Sequence, residues 1–386
     1  MKKRNIFLIA FFLLFSGLIF SLLFARYQSD KESENKVRLK EVFEKEITAA
    51  LDLKYVSYNP LYAHSSYVRI IKDTIMGFNN GFNDYNAGFF FQSLKPLKTA
   101  TLVQVTFQEH DPYPSDNYIG YYNNGCMYFG AYGGSRMERV CIDGTTRDYF
   151  SKYENTMFYA NKVLLYKDKA AITSMNGIYI FDIKKEKLLW SERYGNELFD
   201  GFSVLIDNKF YYVSIRGTFV CMNLDTLKKE WETPLKIKMD YPYSEIYQEL
   251  QSIYHSDNII AIYGLDKLLL INSKTGKIIW NFPWNIKPSV DQPTVKIIDK
   301  LIYFSNKGEL YCIDYTSNNL IWKFKDAIFK GIYKNFVIAM SKNSDFYLII
   351  NKDTGKLKTK IITPKNGYPI VLVDSYVIID NRTIYK

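Results

Sequence analysis

One stretch of this chain crowds cation-binding side chains together: QEHDPYPSDNY, Gln108 to Tyr118, holds Glu109, His110, Asp111 and Asp116 beside Tyr113. Carboxylate oxygens and an imidazole are a workable donor set for a divalent ion. Pro112 and Pro114 stiffen the same stretch, so a rigid exposed loop presenting Tyr113 to a partner is preferred, and no metal is assigned. Asp143, Asp182 and Asp314 form a second group, carboxylates of the kind used in general acid–base catalysis. Each stands second in a ten-residue phrase that recurs along the chain, and in the other copies that position is Asn223, Asn272 or Asn351. A neutral amide cannot act as a general acid or base. What Asp and Asn share is a short side-chain oxygen that accepts from nearby backbone N–H groups and opens a turn. Turn formation is therefore assigned to all six, and no catalytic residue is assigned. His64, His110 and His255 are scattered, and Cys-x-x-Cys, His-Glu-x-x-His and phosphate-cradling glycine motifs are absent.

The elements that carry these residues follow from the phrase itself. It ends in tryptophan four times: FDIKKEKLLW at Trp190, MNLDTLKKEW at Trp231, INSKTGKIIW at Trp280 and IDYTSNNLIW at Trp322. IDGTTRDYFS and INKDTGKLKT are copies without the terminal Trp. Successive tryptophans are 41, 49 and 42 residues apart, a period of toroidal four-stranded-sheet arrays rather than of paired-helix solenoids. Each phrase follows runs such as KFYYVS and TFVCMNL separated by a short turn, a strand-turn-strand signal. An all-β propeller is the expected fold, with each Trp wedged between neighbouring blades rather than stacking on a ligand. Gly276, Gly355 and Asn318 stand where the turn needs a left-handed residue. Glu186, Leu227 and Arg147 occupy that place in other copies, so those turns are expected to close differently.

The pattern of an apolar residue, Asp or Asn, then Thr-Gly-Lys and Trp, clearest in INSKTGKIIW, resembles the repeat of the pyrroloquinoline-quinone-type propellers. That family includes quinoprotein alcohol dehydrogenases and a non-catalytic scaffold lipoprotein of outer-membrane barrel assembly. The resemblance covers about residues 118 to 386 and implies an eight-bladed propeller. Four further apolar runs between residues 67 and 107 make one more blade, and IVLVD, YVIID and TIYK after Lys360 make three strands. An N-terminal strand from LKYVSY, Leu53 to Tyr58, would complete that last sheet and close the ring. Seven blades is the alternative, should 67 to 107 be irregular. The dehydrogenases of the family hold their quinone with adjacent cysteines, a stacking Trp and a calcium-binding carboxylate set. Adjacent cysteines occur nowhere in this sequence, so no cofactor is assigned.

Ile6 to Ala25 is 20 residues without a charge, long enough to cross about 30 Å of hydrocarbon as a helix. Lys2, Lys3 and Arg4 precede it, which places residues 1–5 on the cytoplasmic side and everything after Ala25 outside. A transmembrane signal anchor is preferred to a cleaved signal peptide, because the run is long and Leu23 stands where a cleavage site needs a small residue. No Cys lies near it for lipid attachment. The charged stretch 26–50, with Val42, Ile47 and Leu51 at near-helical spacing, reads as a juxtamembrane helix or spacer, solvated in preference to a docking helix for a partner, and the propeller is expected over 51–386.

The formal charge is +10, of which Lys2, Lys3, Arg4 and Arg26 contribute four. The mild remaining surplus suits anionic headgroups or an acidic partner, and no dense Lys/Arg run argues for nucleic acid. Cys141, Cys221 and Cys312 stand at a repeat position that elsewhere holds Ile180, Leu270 or Ile349, a core position where a free thiol behaves as a small hydrophobe. Across a hairpin turn at Gly133 and Gly134, Cys126 falls opposite Cys141 and a disulfide is open to them, although a strict two-residue turn would set the pair wide.

Segments that exceed the period are the places for function. DYPYSEIYQELQSIYHS inside the 49-residue interval offers Tyr241, Tyr243 and Tyr247, and NFPWNIKPSVDQP offers Trp284, a Trp outside the repeat register. The expectation is an inner-membrane, single-pass protein whose propeller, on the periplasmic or extracellular side, is a non-catalytic platform for an envelope protein or peptide. The alternatives are an enzyme using the central face, as a quinone-dependent dehydrogenase or an envelope-polymer hydrolase, and a carbohydrate-binding module.

Overall fold

The computed structural model describes residues 26, 31, 38–58, 65–71, 74–79, 88–93, 101–104, 121–123, 126–130, 137–141, 143, 145–149, 160–174, 176–193, 203–214, 217–236, 254–256, 258–264, 266–283, 294–363, 370–373, 376–379 and 383–385. Among them, 32 strands form eight four-stranded antiparallel sheets. Seven sheets are meanders of consecutive strands, spanning 65–104, 121–149, 160–193, 203–234, 254–283, 295–325 and 327–362. They are called here the first to the seventh. The four apolar runs read between 67 and 107 are the strands of the first sheet. In the eighth, Ile370–Val373, Tyr376–Ile379 and Thr383–Tyr385 are joined by Tyr55–Tyr58, which pairs antiparallel with Thr383–Tyr385.

The middle strands explain the long apolar runs. In the third sheet Ala170 to Ser174 and Gly177 to Phe181 are buried throughout, and Phe219 to Met222 repeats this in the fourth. A strand covered on both faces has no solvent side, so alternation gives way to continuous Val, Ile, Leu and Tyr. One face packs on the preceding sheet and the other on the following one. One core joins Phe210, Tyr212 and Cys221 of the fourth sheet to Ile260, Ile262 and Ile271 of the fifth, and another joins Tyr303 and Cys312 of the sixth to Val337, Leu348 and Ile350 of the seventh. The fourth strand of each sheet from the third to the seventh is the outer one, half-buried along most of its length in the third sheet and largely exposed in the fourth to the seventh.

One helix, α1 (residues 38–51), stands outside the sheet pattern but not outside the core. Phe43, Ile47 and Leu51 recur every four residues, which keeps them on one stripe. All three are buried, against Tyr347, Ile349 and Ile361 of the seventh sheet and Val377, Ile379 and Tyr385 of the eighth. The Phe43 and Tyr347 rings lie 5.9 Å apart. Past the helix end, Asp52 takes a left-handed conformation with φ of 53°, the Leu53 N–H donates to the Thr48 carbonyl at 2.9 Å, and Lys358 Nζ donates to the Ala50 carbonyl at 2.8 Å. Within the stretch 26–50, residues 38–50 are therefore packed on the seventh and eighth sheets rather than solvated as expected. Val42, assigned to the apolar stripe, is 48% exposed, while Phe43 is 1% exposed. Five residues separate Val42 from Ile47, which turns a helix well away from a shared face. Ile6 to Ala25 lies outside the described residues, among which no helix is long and apolar enough to cross a membrane.

Candidate functional site

The Asp/Asn oxygens of the phrase are turn acceptors. Asn272 Oδ1 accepts from the backbone N–H groups of Lys274 and Thr275, both at 3.0 Å, and Asn351 Oδ1 from those of Asp353 and Thr354 at 3.1 and 3.0 Å. Asn223 does the same with Asp225 and Thr226, and Asp182 accepts from the Lys185 N–H. Asp314 accepts from the Thr316 N–H and hydroxyl and from the Ser317 N–H, and Asp143 from the N–H and hydroxyl of Thr145. The threonine hydroxyls hold both carboxyls below the usual carboxylate range, the opposite of what a general acid at neutral pH requires.

All five turns from the third sheet to the seventh close through a left-handed residue: Glu186, Leu227, Gly276, Asn318 and Gly355 have φ between 47° and 71°. Glu186 and Leu227 were expected to force another closure. The Asx hydrogen bonds fix the turn strongly enough that an ordinary side chain is carried into that conformation. Arg147 does differ, lying within the strand Thr146–Tyr149.

Glycine matters at two of these turns because a tryptophan of the preceding sheet lies on the backbone. A Cβ on Gly276 would meet the Trp231 ring at 2.6 Å, and one on Gly355 would meet Trp322 at 2.6 Å. The indole N–H groups complete the contact. Trp231 Nε1 donates to the Ser273 carbonyl at 3.2 Å, Trp280 Nε1 to Asn318 Oδ1 at 2.9 Å, and Trp322 Nε1 to the Lys352 carbonyl at 2.8 Å. Trp190 packs instead beside Tyr212, against the core shared by the third to fifth sheets. Gly276→Ala combines left-handed strain with overpacking, and a loss of about 1–3 kcal/mol is expected. Urea unfolding measures it, and Lys277→Ala beside it should be nearly neutral.

The register slips by one residue just before each terminal Trp position. Trp190, Trp231, Trp280, Trp322 and Thr359 pair with Ile180, Cys221, Leu270, Cys312 and Ile349, and the next pairs involve Leu188, Lys229, Ile278, Leu320 and Leu357. Leu189, Glu230, Ile279, Ile321 and Lys358 are thus bulge residues, and the added twist re-aims the following side chain. Thr359 is the departure in this series. Where the other four sheets carry an indole, the seventh has a short hydroxyl side chain, and α1 brings Phe43, Ile47 and Leu51 to the same face.

Cys126 and Cys141 are bonded, with Cα atoms 3.9 Å apart, closer than the wide pair a strict two-residue turn would set. Their strands pair in the register that puts the two residues opposite each other. Cys221 and Cys312 are buried free thiols. Burial pushes the first up to about 12 and the second up to about 11, so neither presents a thiolate at neutral pH. They sit in different sheets, so the two free thiols cannot supply the adjacent cysteine pair that the quinoproteins use. Among the described residues no three His, Cys, Asp or Glu side chains converge as metal ligands. The quinone site of the resembled enzymes does not fit these residues. Trp284, Tyr241, Tyr243, Tyr247 and Tyr113 lie outside the described residues.

The model of the family described as outer membrane protein assembly factor BamB matches residues 168–357, just under half of this chain. An uncharacterized protein of Rickettsia conorii, RC0314, is 24% identical over 168 residues, and the match spans 40% of this chain and only 39% of that relative's own length. BamB from Moraxella catarrhalis superposes with a TM-score of 0.59, covering 86% of this chain and 99% of its own at 11% identity. The computationally designed Ika8 protein covers the same shares with a TM-score of 0.55 at 13% identity. At such identities the likeness speaks for the fold. Residues 168–357 thus match the family described as outer membrane protein assembly factor BamB, in a chain with a BamB-like β-propeller fold.

Proposed function

We propose that the chain is an eight-bladed propeller, anchored by Ile6 to Ala25 with residues 1–5 in the cytoplasm, that acts as a non-catalytic platform for an envelope protein or peptide. The observation that supports it most is the fate of the chemically able side chains: the repeat carboxylates close turns, the free thiols are core, and the other two cysteines are joined to each other. The BamB-like fold adds an analogy with an assembly factor. Contacts are assigned to the long inter-strand segments, with Trp284, Tyr241, Tyr243, Tyr247 and Tyr113 as the partner-facing side chains. A photo-crosslinkable residue placed at Trp284 in intact cells should give one discrete adduct with an envelope protein, and the chain should fractionate with the inner membrane. No adduct at any of the five positions, together with turnover of a small substrate by the purified chain, rejects the platform.

A further inference from the structure

Every large apolar side chain exposed among the described residues falls on one arc of the molecule. Leu39 and Val42 are on α1, Ile278 and Ile279 on the outer strand of the fifth sheet, Leu320 and Ile321 on that of the sixth, and Leu357 and Ile362 on that of the seventh. These sheets are consecutive, and α1 is tied to the last of them through Lys358. The charge on the arc is equally one-sided. Over the turn-and-strand segments 272–283, 314–325 and 351–362 the cations include Lys277, Lys323, Lys325, Lys356, Lys358 and Lys360, whereas Asp353 is the one exposed carboxylate. Lys277, Lys325 and Lys356 make no ion pair among the described residues, and Lys323 reaches only Glu309, at 3.3 Å.

The equivalent segments of the third and fourth sheets are built differently. There Lys229 bridges Glu192 and Glu232, Lys209 pairs with Glu230, Lys167 with Asp225, and Arg147 with Glu186. No large apolar side chain is exposed on those two outer strands. The ring therefore has a charge-balanced arc and an arc that is both greasy and cationic.

We infer that the arc formed by the outer strands of the fifth, sixth and seventh sheets is a docking surface for an anionic lipid bilayer, against which the ring lies edge-on. Two features favour lipid over a strand added by a protein partner. The bulges at Ile279, Ile321 and Lys358 break the edge ladder an incoming strand would need. Two of those bulge residues, Ile279 and Ile321, are themselves exposed, which suits shallow insertion among acyl chains flanked by lysines at the headgroup level. Lysine attraction to an anionic leaflet is additive and screened by salt.

The test uses the full chain and a polarity-sensitive dye on Ile321→Cys. Cys221 and Cys312 are buried and Cys126 is bonded to Cys141, so the dye goes to the new thiol. The chain is mixed with vesicles of phosphatidylcholine alone or with added phosphatidylglycerol, and the emission of the dye, not sedimentation, is read, because the N-terminal apolar run would hold the chain on either vesicle. A blue shift with phosphatidylglycerol only is expected, reversed by high salt, and absent for the same dye on Lys228→Cys in the balanced arc. Each of Lys323→Glu, Lys325→Glu and Lys356→Glu should raise the phosphatidylglycerol needed for half the shift about fivefold or more. An aqueous emission on both vesicles, an equal shift on phosphatidylcholine, or a shift unchanged in the triple Lys→Glu variant overturns the inference. So does a shift produced by poly-glutamate peptide without vesicles, which would assign the arc to an acidic protein.

Discussion

Trp322→Ala should lower the unfolding free energy by about 3–5 kcal/mol, the range for removing a buried indole. The ring is 9% exposed, faces Tyr303 at 6.1 Å, rests on the backbone of Gly355 and donates to the Lys352 carbonyl. Its loss leaves a cavity between the sixth and seventh sheets and an unmet carbonyl at the turn. The hydrogen bonds from Asp353 and Thr354 to Asn351 hold that turn in place around the empty space, so little collapse can offset it. Trp190→Ala should cost less, because that ring is half-buried and makes no indole hydrogen bond among the described residues. Chemical denaturation of both variants gives the comparison. Equal losses at the two positions would mean that the turn contact is not what makes these tryptophans matter.

Phe43→Ala should destabilise by a similar amount, about 3–5 kcal/mol, although its helix belongs to no sheet. Phe43 lies between the seventh and eighth sheets at 1% exposure, at the seam where Thr359 takes the place of an indole. Leu51 and Ile47 hold the rest of the seam, so the loss should appear as faster hydrogen exchange in Tyr376–Ile379 and Tyr55–Tyr58 as well as in the denaturation midpoint. Val42→Ala, one residue away on the solvent side, should stay within about 0.5 kcal/mol. Were the helix a solvated spacer, the two substitutions would be indistinguishable.

The two cases mark what a reader of the chain can and cannot see. Asn272, Gly276 and Trp280 are legible because the same task recurs in neighbouring sheets, and repetition separates a structural residue from a chemical one. The role of Asp182 and Asp314 became clear the same way, through the asparagines that stand in for them. Phe43 has no such echo. Its task exists once, at the seam, and the sequence clue is an absence at Thr359 some three hundred residues away. Glu186 and Leu227 misled for a different reason: residue preference at a left-handed position is worth only about a kilocalorie, and hydrogen bonds to Asp182 and Asn223 outweigh it. Trp284 and Tyr247 stand out as contact candidates because they break the period, so the repeat does not account for them.

The hydrogen bond from Lys358 to Ala50 joins groups 308 residues apart, and the eighth sheet takes one strand from the opposite end of the chain from the other three. During synthesis, α1 and Tyr55–Tyr58 emerge early with nothing to hold them, and each intervening sheet can assemble on its predecessor while they wait. Tyr55–Tyr58 has no partner until Thr383–Tyr385 is made, and α1 none until the seventh sheet forms. Any stall or stop within Ile370 to Tyr385 would leave Tyr55–Tyr58 unpaired and strip α1 of its eighth-sheet contacts, giving a substrate for proteases rather than a slightly shortened ring.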